Sequence, residues 1–511
     1  MKLGIDFGTT RIVVVRADRG NYPIHTFESA EGEAREWWPA LIAARGRELR
    51  FGWDAWSMAS EPDWTVVRSI KRLLESAGPA TEVEIAGERF GLLDLLTGMA
   101  RALKNAINAN EPLEVMVGVP ANANSNQRYL TAEAFRRAGF HVSGLLNEPS
   151  AAGVEYGHAK REGKAAEELL LVYDLGGGTF DASLVRLQDG EHEVLATESI
   201  STLGGDDFDM AMAELAVSED QFHTLHQSAV FTLLEQCRVA KESLNPNSRR
   251  VTLDLDLVHP EWPAKQVAVS DYYERCRPLL EETLGAVDDL LSAEAPDGID
   301  CLYVTGGASE LPLVPRMLRE RFGRRVKRSA YTRAATAIGL AIHADGQAGF
   351  RLREKFSRYF GVWREGDGGS LILFDPVFSK GDALPRPKED PLKHQRKYSP
   401  AHNIGHFRFL EATSIDSAGR PGGDIVLWDE ILFPFEPELA ENPELGTVPV
   451  VHSQVSPSQE ISETWTCDAN GGVEVEIANR TAGYSRKYQL ARWKSAAAVA
   501  PARPSRRKAR A

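Results

Sequence analysis

The first two thirds of the chain alternate between strand-like and helix-like apolar patterns. Leu3-Gly4-Ile5 and Ile12-Val13-Val14-Val15 are apolar runs joined by a Gly/Thr turn, which predicts paired strands. Leu92, Leu95, Leu96, Met99, Leu103 and Ile107 recur at helical spacing and predict an amphipathic helix over 91–108. The pattern then predicts a strand over 113–118 ending in Pro120, a helix over 125–137 and a buried strand over 169–173. Helices follow over 227–244, 273–293 and 312–322, with a strand over 299–305 before Gly306-Gly307. One echo stands out. Gly4-Ile5-Asp6-Phe7-Gly8-Thr9-Thr10 resembles Tyr173-Asp174-Leu175-Gly176-Gly177-Gly178-Thr179, each a strand, an Asp, a glycine turn and a second strand. Such a repeat implies two similar lobes facing each other.

After about residue 345 the helical period fades. Phe407 and Phe409 alternate with His406 and Arg408, and Val473, Val475 and Ile477 with Glu474 and Glu476. Asp468-Ala469-Asn470-Gly471-Gly472 before that last strand is a hairpin signal, because Asn-Gly accepts positive φ. Several short strands of this kind imply a β-sandwich. Stretches 376–401 and 434–460, rich in proline and charge, read as long loops. From 491 to 511 the charges are all basic, which reads as a disordered tail.

Composition narrows the function classes. The chain has 511 residues and a net charge of −14, against a generic nucleic-acid binder. Its 43% hydrophobic content suits an ordinary globular protein with several cores. The four cysteines (Cys237, Cys276, Cys301, Cys467) are far apart, which argues against a disulfide scaffold or zinc ribbon and fits a reducing compartment. No apolar run reaches the length of a membrane span, and the N-terminus does not read as a signal peptide.

The candidate chemistry lies in the repeated turns. Backbone N–H groups of Gly8-Thr9-Thr10 and Gly176-Gly177-Gly178-Thr179 can approach an anion closely. Asp6 and Asp174 end the preceding strands, and Asp181 follows the second turn. Carboxylates converging on a polyphosphate are best explained by Mg²⁺, held by few carboxylates plus waters and phosphate oxygens. The GxxxxGK[ST] phosphate loop is absent.

These motifs resemble those of the heat shock protein 70 family, chaperones of the actin-like ATPase superfamily. The matching stretches are GIDFGTT at 4–10, SIKRLL at 69–74, VGVPA at 117–121, NEPSAAGVEYG at 147–157, YDLGGGTFD at 173–181, LGGDDFD at 203–209, AKESL at 240–244 and VTGGASELP at 304–312. FSKGDALP at 378–385 and DANGG at 468–472 anchor a looser match to the family's peptide-binding sandwich. The resemblance implies an ATPase of two RNase H-like lobes over 1–345, a linker over 346–358, a β-sandwich over 359–490 and the tail. It implies that Asp6, Asp174 and Asp181 organise Mg²⁺ mostly through water, and that Thr9, Thr10 and 176–179 cradle the β- and γ-phosphates, with Gly8, Gly204 and Gly205 beside them. Lys71 would reach the γ-phosphate and Glu148 would hold a metal-bound water. Lys241, Gly306 and Gly307 would contact the adenosine, and Pro120 and Arg128 would relay nucleotide state. The implied cofactors are ATP or ADP and Mg²⁺. The implied partners are extended polypeptides, a J-domain co-chaperone and an exchange factor, in the cytoplasm.

Three departures qualify the resemblance. Where the family has Glu-x-x-Lys-Arg, this chain has Arg238-Val239-Ala240-Lys241-Glu242, and Glu310 and Arg333 likewise exchange sign. Base preference is therefore open, with Arg238 an alternative stacking partner. Phe350-Arg351-Leu352-Arg353-Glu354-Lys355-Phe356 replaces an aliphatic-acidic linker. No helical lid follows about residue 490, which implies fast peptide release. A nucleotide-gated scaffold for one dedicated partner is the second reading, and a small-molecule kinase a weaker third.

Overall fold

The structure is a computed structural model that describes residues 1–59, 61, 63–78, 80–160, 167–188, 191–346, 351–366, 371–385, 389–468 and 471–489. The expected basic tail over 491–511 and part of the linker, 347–350, lie outside the described residues.

The internal echo is a topological repeat. In the first sheet, strand Lys2–Phe7 pairs antiparallel with Arg11–Arg16 and parallel with Glu114–Val119, which pairs parallel with His141–Asn147. In the second, Glu168–Leu175 pairs antiparallel with Phe180–Gln188 and parallel with Cys301–Thr305, which pairs parallel with Val326–Arg328. Each glycine turn joins the two antiparallel strands at the centre of its sheet, so both turns open on the same cleft. This is the two-lobed arrangement expected from the resemblance.

Helix Leu92–Ile107 buries Leu92, Leu95, Leu96, Met99, Leu103 and Ile107 in the first lobe's core and ends at left-handed Asn108. Asn124 and Gln127 form a reciprocal capping box at the start of helix Ser125–Arg137. Helices Glu148–Ala159 and Ala335–Asp345 cross beneath the cleft. A Cβ on Gly339 would lie 1.8 Å from the Ala151 carbonyl oxygen, so only glycine permits this approach. The crossing therefore brings two backbones together at the base of the lobes.

The C-terminal region is a sandwich of two four-stranded sheets. Phe360, Phe409, Phe433, Trp465, Val475 and Ile477 fill the space between them. Glu463, fully buried, receives both Arg364 Nη1 and Nη2 at 3.0 Å. The 376–401 stretch is not one loop. It contains the end of strand Leu371–Phe378 and all of strand Leu392–Tyr398, which pairs with Ile461–Cys467. Its polar sequence hid that strand, because Lys393, Gln395 and Lys397 face outward while the ladder with the apolar neighbour holds the backbone. The 434–460 stretch is a long connection with three short 3₁₀ turns.

The linker is docked. Strand Arg351–Arg353 adds to the edge of the second lobe's sheet, parallel to Glu191–Ile200, and Leu352 is buried among Leu146, Tyr156 and Leu187. Backbone bonds and the Leu352 side chain make this contact, reinforced by Asn147 on Glu354 and by the Lys355–Glu193 pair.

Candidate active site

The three aspartates arrive on strand ends. Asp6 lies on Lys2–Phe7, and Asp174 and Asp181 sit directly opposite each other on antiparallel strands. The turn between the latter is closed by Gly176 N–H donating to the Thr179 carbonyl at 3.0 Å. Helix Gly205–Ala216 begins against it, with Gly205 N–H on the Gly176 carbonyl and Asp206 N–H on that of Gly177. A Cβ on Gly177 would lie 2.5 Å from Thr10 Oγ1, and one on Gly178 2.6 Å from Thr9 Cγ2. Hence the two turns touch, and only glycine fits on the second lobe's side. Gly204 packs on the backbone of Gly178, and Gly8 on that of Arg11.

Lys71 sits on the 3₁₀ turn Ile70–Leu74 and donates to Glu148, the first residue of helix Glu148–Ala159. Four carboxylates, Asp6, Glu148, Asp174 and Asp181, thus face one buried ammonium. Burial, then Glu148, pushes Asp6 up to about 7. Burial, then Glu148, raises Asp181 to about 6, although Ser199 and the Ala121 N–H donate to it. Asp174 is held well above the carboxylate range by burial and by Glu148, Asp181 and Asp6. Burial alone would lower Lys71, but Glu148 and Asp6 hold it above its ordinary value.

The cleft holds a cavity of about 380 Å³. Asp6, Thr10, Lys71, Asp174 and Thr179 line its inner end, and Arg11, Trp37, Glu242 and Arg333 its outer end. At the outer end Arg11 Nη2 donates to both Glu242 oxygens, at 2.8 and 2.9 Å, from one lobe to the other. Arg333 donates to Glu242 at 3.2 Å and to Glu310 at 2.7 Å, and Arg238 to Glu235 at 2.8 Å. The Arg11 guanidinium lies 4.6 Å from the Trp37 ring centroid. Burial would raise Glu242, but Arg11, Arg238 and Arg333 bring it down to about 2. These charges therefore pair with one another across the outer end.

Of the residues expected at the nucleotide, Gly8, Thr9, Thr10, Gly176, Gly177, Gly205, Lys241, Gly306 and Gly307 line the cavity, and Gly178 and Gly204 pack on each other beside it. Lys241 donates to the Gly205 carbonyl at 2.7 Å and pairs with Asp209 at 2.6 Å, so its ammonium is engaged within the second lobe. Gly306 has φ of +84°, and a Cβ there would meet the Leu175 carbonyl oxygen at 2.3 Å; with Gly307 it lines the cavity. Partly buried Arg128 donates to Asn147 Oδ1, and Asn147 donates to Glu354 of the linker at 2.8 Å. Pro120 lies behind the cleft, beside Asp181. The expectations omitted Arg11, Trp37 and the interlobe contacts of Ser69 with Asp206 and of Arg72 with Asp207. Ser69, Arg72, Asp206 and Asp207 lie within the matched stretches SIKRLL and LGGDDFD, and Arg11 directly follows the phosphate-turn threonines, whereas Trp37 left no such signal.

Among the described residues, no group of three His, Cys, Asp or Glu side chains is set to hold a metal ion by itself. The donors that do converge are hard oxygens carrying excess negative charge. That combination fits Mg²⁺ held through water and phosphate oxygens rather than by a protein cage.

Two lobes with a repeated sheet, crossing helices and facing phosphate turns define an actin-like ATPase fold, here followed by a β-sandwich. The family described as Hsp70 protein matches residues 78–355, more than half of the chain. The chain belongs to the Hsp70 family. It is 30% identical over 370 residues to the chaperone protein HscA of Xenorhabdus nematophila, covering 67% of this chain and 57% of that protein. HscA of Klebsiella pneumoniae is 32% identical over 372 residues, with the same coverage. Chaperone protein DnaK of Thermotoga maritima is 32% identical over 366 residues, covering 68% of this chain and 59% of that protein. The match thus spans well under two thirds of these relatives. Among the described residues no helix is long and apolar enough to cross a membrane.

Proposed function

We propose that the chain is an ATP-driven chaperone, in which nucleotide state controls the grip of the β-sandwich on extended polypeptide. One observation carries this reading: Asp6, Lys71, Glu148, Asp174 and Thr179 converge with both glycine turns on one cleft, and Asp181 sits opposite Asp174 behind it. Family membership supports it independently. The domain limits of this reading are 1–345, 346–358 and 359–490.

In the reaction, water adds to the γ-phosphorus and the bond to the β–γ bridging oxygen breaks, giving ADP and orthophosphate. Lys71, kept protonated by Glu148 and Asp6, supplies positive charge where negative charge develops. Backbone N–H groups of the two turns orient the β- and γ-phosphates. Asp6, Asp174 and Asp181 would hold Mg²⁺ through water, and that ion would neutralise phosphate charge when bound. Arg128, Asn147 and Glu354 form a hydrogen-bonded path from the first lobe to the docked linker, the element through which the cleft and the sandwich would sense each other. In this reading a J-domain co-chaperone and an exchange factor are the natural partners, and the cytoplasm the natural location.

A second reading, a nucleotide-gated scaffold with little turnover, draws support from the ion pairs at the outer end of the cleft. Single-turnover ATP hydrolysis with and without excess unfolded peptide separates the two, with Lys71→Ala as the control. Peptide-stimulated hydrolysis that vanishes in the variant is the expected result. ATP binding without stimulation moves the assignment to the scaffold.

A further inference from the structure

Two cavities meet at Lys71. The nucleotide cleft reaches it from one side, and a second cavity of about 150 Å³ reaches it from the other. Thr9, Lys71 and Thr179 line both. The second cavity is also lined by Asp181 and Ser201 of the second lobe, by Arg358 where the linker enters the β-sandwich, and by Thr413 and Asp424 of the sandwich. We propose that this cavity is the route by which orthophosphate leaves after hydrolysis, and that the docked sandwich is its stopper. The proposal rests on the ATPase reading and adds to it a path and a gate.

Three features support the path. First, position: orthophosphate forms at the inner end of the cleft, behind ADP, while Arg11 and Glu242 bridge the lobes at the outer end. The way out past ADP is therefore blocked until the nucleotide itself departs. Second, size: at about 30 Å³ per liquid water, the cavity has room for several waters or one five-heavy-atom ion. Third, chemistry. The acids along the wall are engaged, Asp181 by Ser199, Glu75 by Ser201 and Asp424 by Arg358. The guanidinium donors are not fully used. Buried Arg72 Nε and Arg358 Nε lack a hydrogen-bond acceptor, and the nearest carboxylate to the latter, Glu411, is 3.6 Å away. An anion passing from Lys71 toward Arg358 thus meets available donors at both ends.

The gate follows from where the outer wall comes from. Arg358 is buried and donates to the Asp424 carbonyl and carboxylate, both at 2.8 Å. Glu411 anchors this wall on the first lobe by accepting from Ser125 N–H at 3.1 Å and from its hydroxyl. Undocking the sandwich removes Arg358, Thr413 and Asp424 together and opens the cavity to solvent.

The test measures two quantities in a single turnover of the full chain with Mg²⁺ and ATP. Acid quench reports all orthophosphate formed, and a fluorescent phosphate-binding sensor reports only what is free. In the unaltered protein, free phosphate is expected to lag total phosphate. Arg358→Ala is expected to shorten the lag about tenfold, with the hydrolysis rate changed less than about twofold, as for a product-release step. Thr413→Trp fills the cavity from the sandwich side and is expected to lengthen the lag, an effect that undocking alone does not produce. Free phosphate tracking total phosphate in the unaltered protein overturns the proposal, as does a lag that neither variant moves; both leave the ATPase reading standing. Absence of any hydrolysis overturns the ATPase reading and this proposal with it.

Discussion

The two ends of the cleft are built on opposite electrostatic plans. At the inner end, four carboxylates share one ammonium, and burial holds Asp6, Asp174 and Asp181 well above their ordinary range. That end is short of positive charge until a cation and a polyphosphate arrive. At the outer end, Arg11, Arg238 and Arg333 surround Glu242, and Arg333 also holds Glu310. That end is satisfied without a ligand. The phosphates, more than the base, should therefore supply binding energy, and the outer end acts as a clasp between lobes.

The largest effect is expected at Lys71. Lys71→Ala removes the ammonium that the four carboxylates face and is expected to slow single-turnover hydrolysis by about 10²–10³-fold, the range for losing one group that stabilises transition-state charge. Next in size is a pH effect on the unliganded protein. Asp6 titrates near 7 and Asp181 near 6 in the folded state, against 3.8 ordinarily. The folded state therefore binds these protons more tightly than the unfolded state does. Their contribution is greatest below about pH 4 and is lost as pH rises through 6 and 7, by about 1 kcal/mol per pH unit for each titrating group. Thermal melts across pH 4–8 should show this fall, and Mg²⁺ with nucleotide should flatten it.

The outer end predicts smaller effects. Glu242→Gln breaks the clasp and leaves three guanidinium groups facing one another. Nucleotide dissociation, followed by displacement of a fluorescent analogue, is expected to accelerate about tenfold, equivalent to about 1.4 kcal/mol. Glu310→Ala leaves Arg333 paired with Glu242 at a half-exposed position, so stability should fall by less than about 1 kcal/mol in a denaturant titration. A larger loss there than at Glu242 would reverse the assignment of the clasp.

The inner end was legible in the sequence because its chemistry dictates residue types over short spans. An Asp at a strand end, glycines where a Cβ would strike a threonine, and a second copy in register leave few alternatives. The outer end was legible only as a list of exchanged charges. Arg11 and Glu242 are 231 positions apart, and nothing local joins them. Strand Leu392–Tyr398 escaped because its side chains do not alternate between apolar and polar, and its pairing is set by a neighbour almost seventy residues on. Linker docking escaped for another reason. Arg-Leu-Arg is too short to carry a period, and its strand exists only because the edge of the second lobe's sheet offers a ladder.

Equilibrium binding of Mg²⁺ with ATP, Mg²⁺ with GTP, and adenosine to the same protein tests the contrast between the two ends most directly. If the inner end dominates, exchanging the base changes Kd by less than about tenfold, whereas removing the phosphates abolishes measurable binding. Adenosine binding within about tenfold of ATP, or rejection of GTP by more than about a hundredfold, would contradict it.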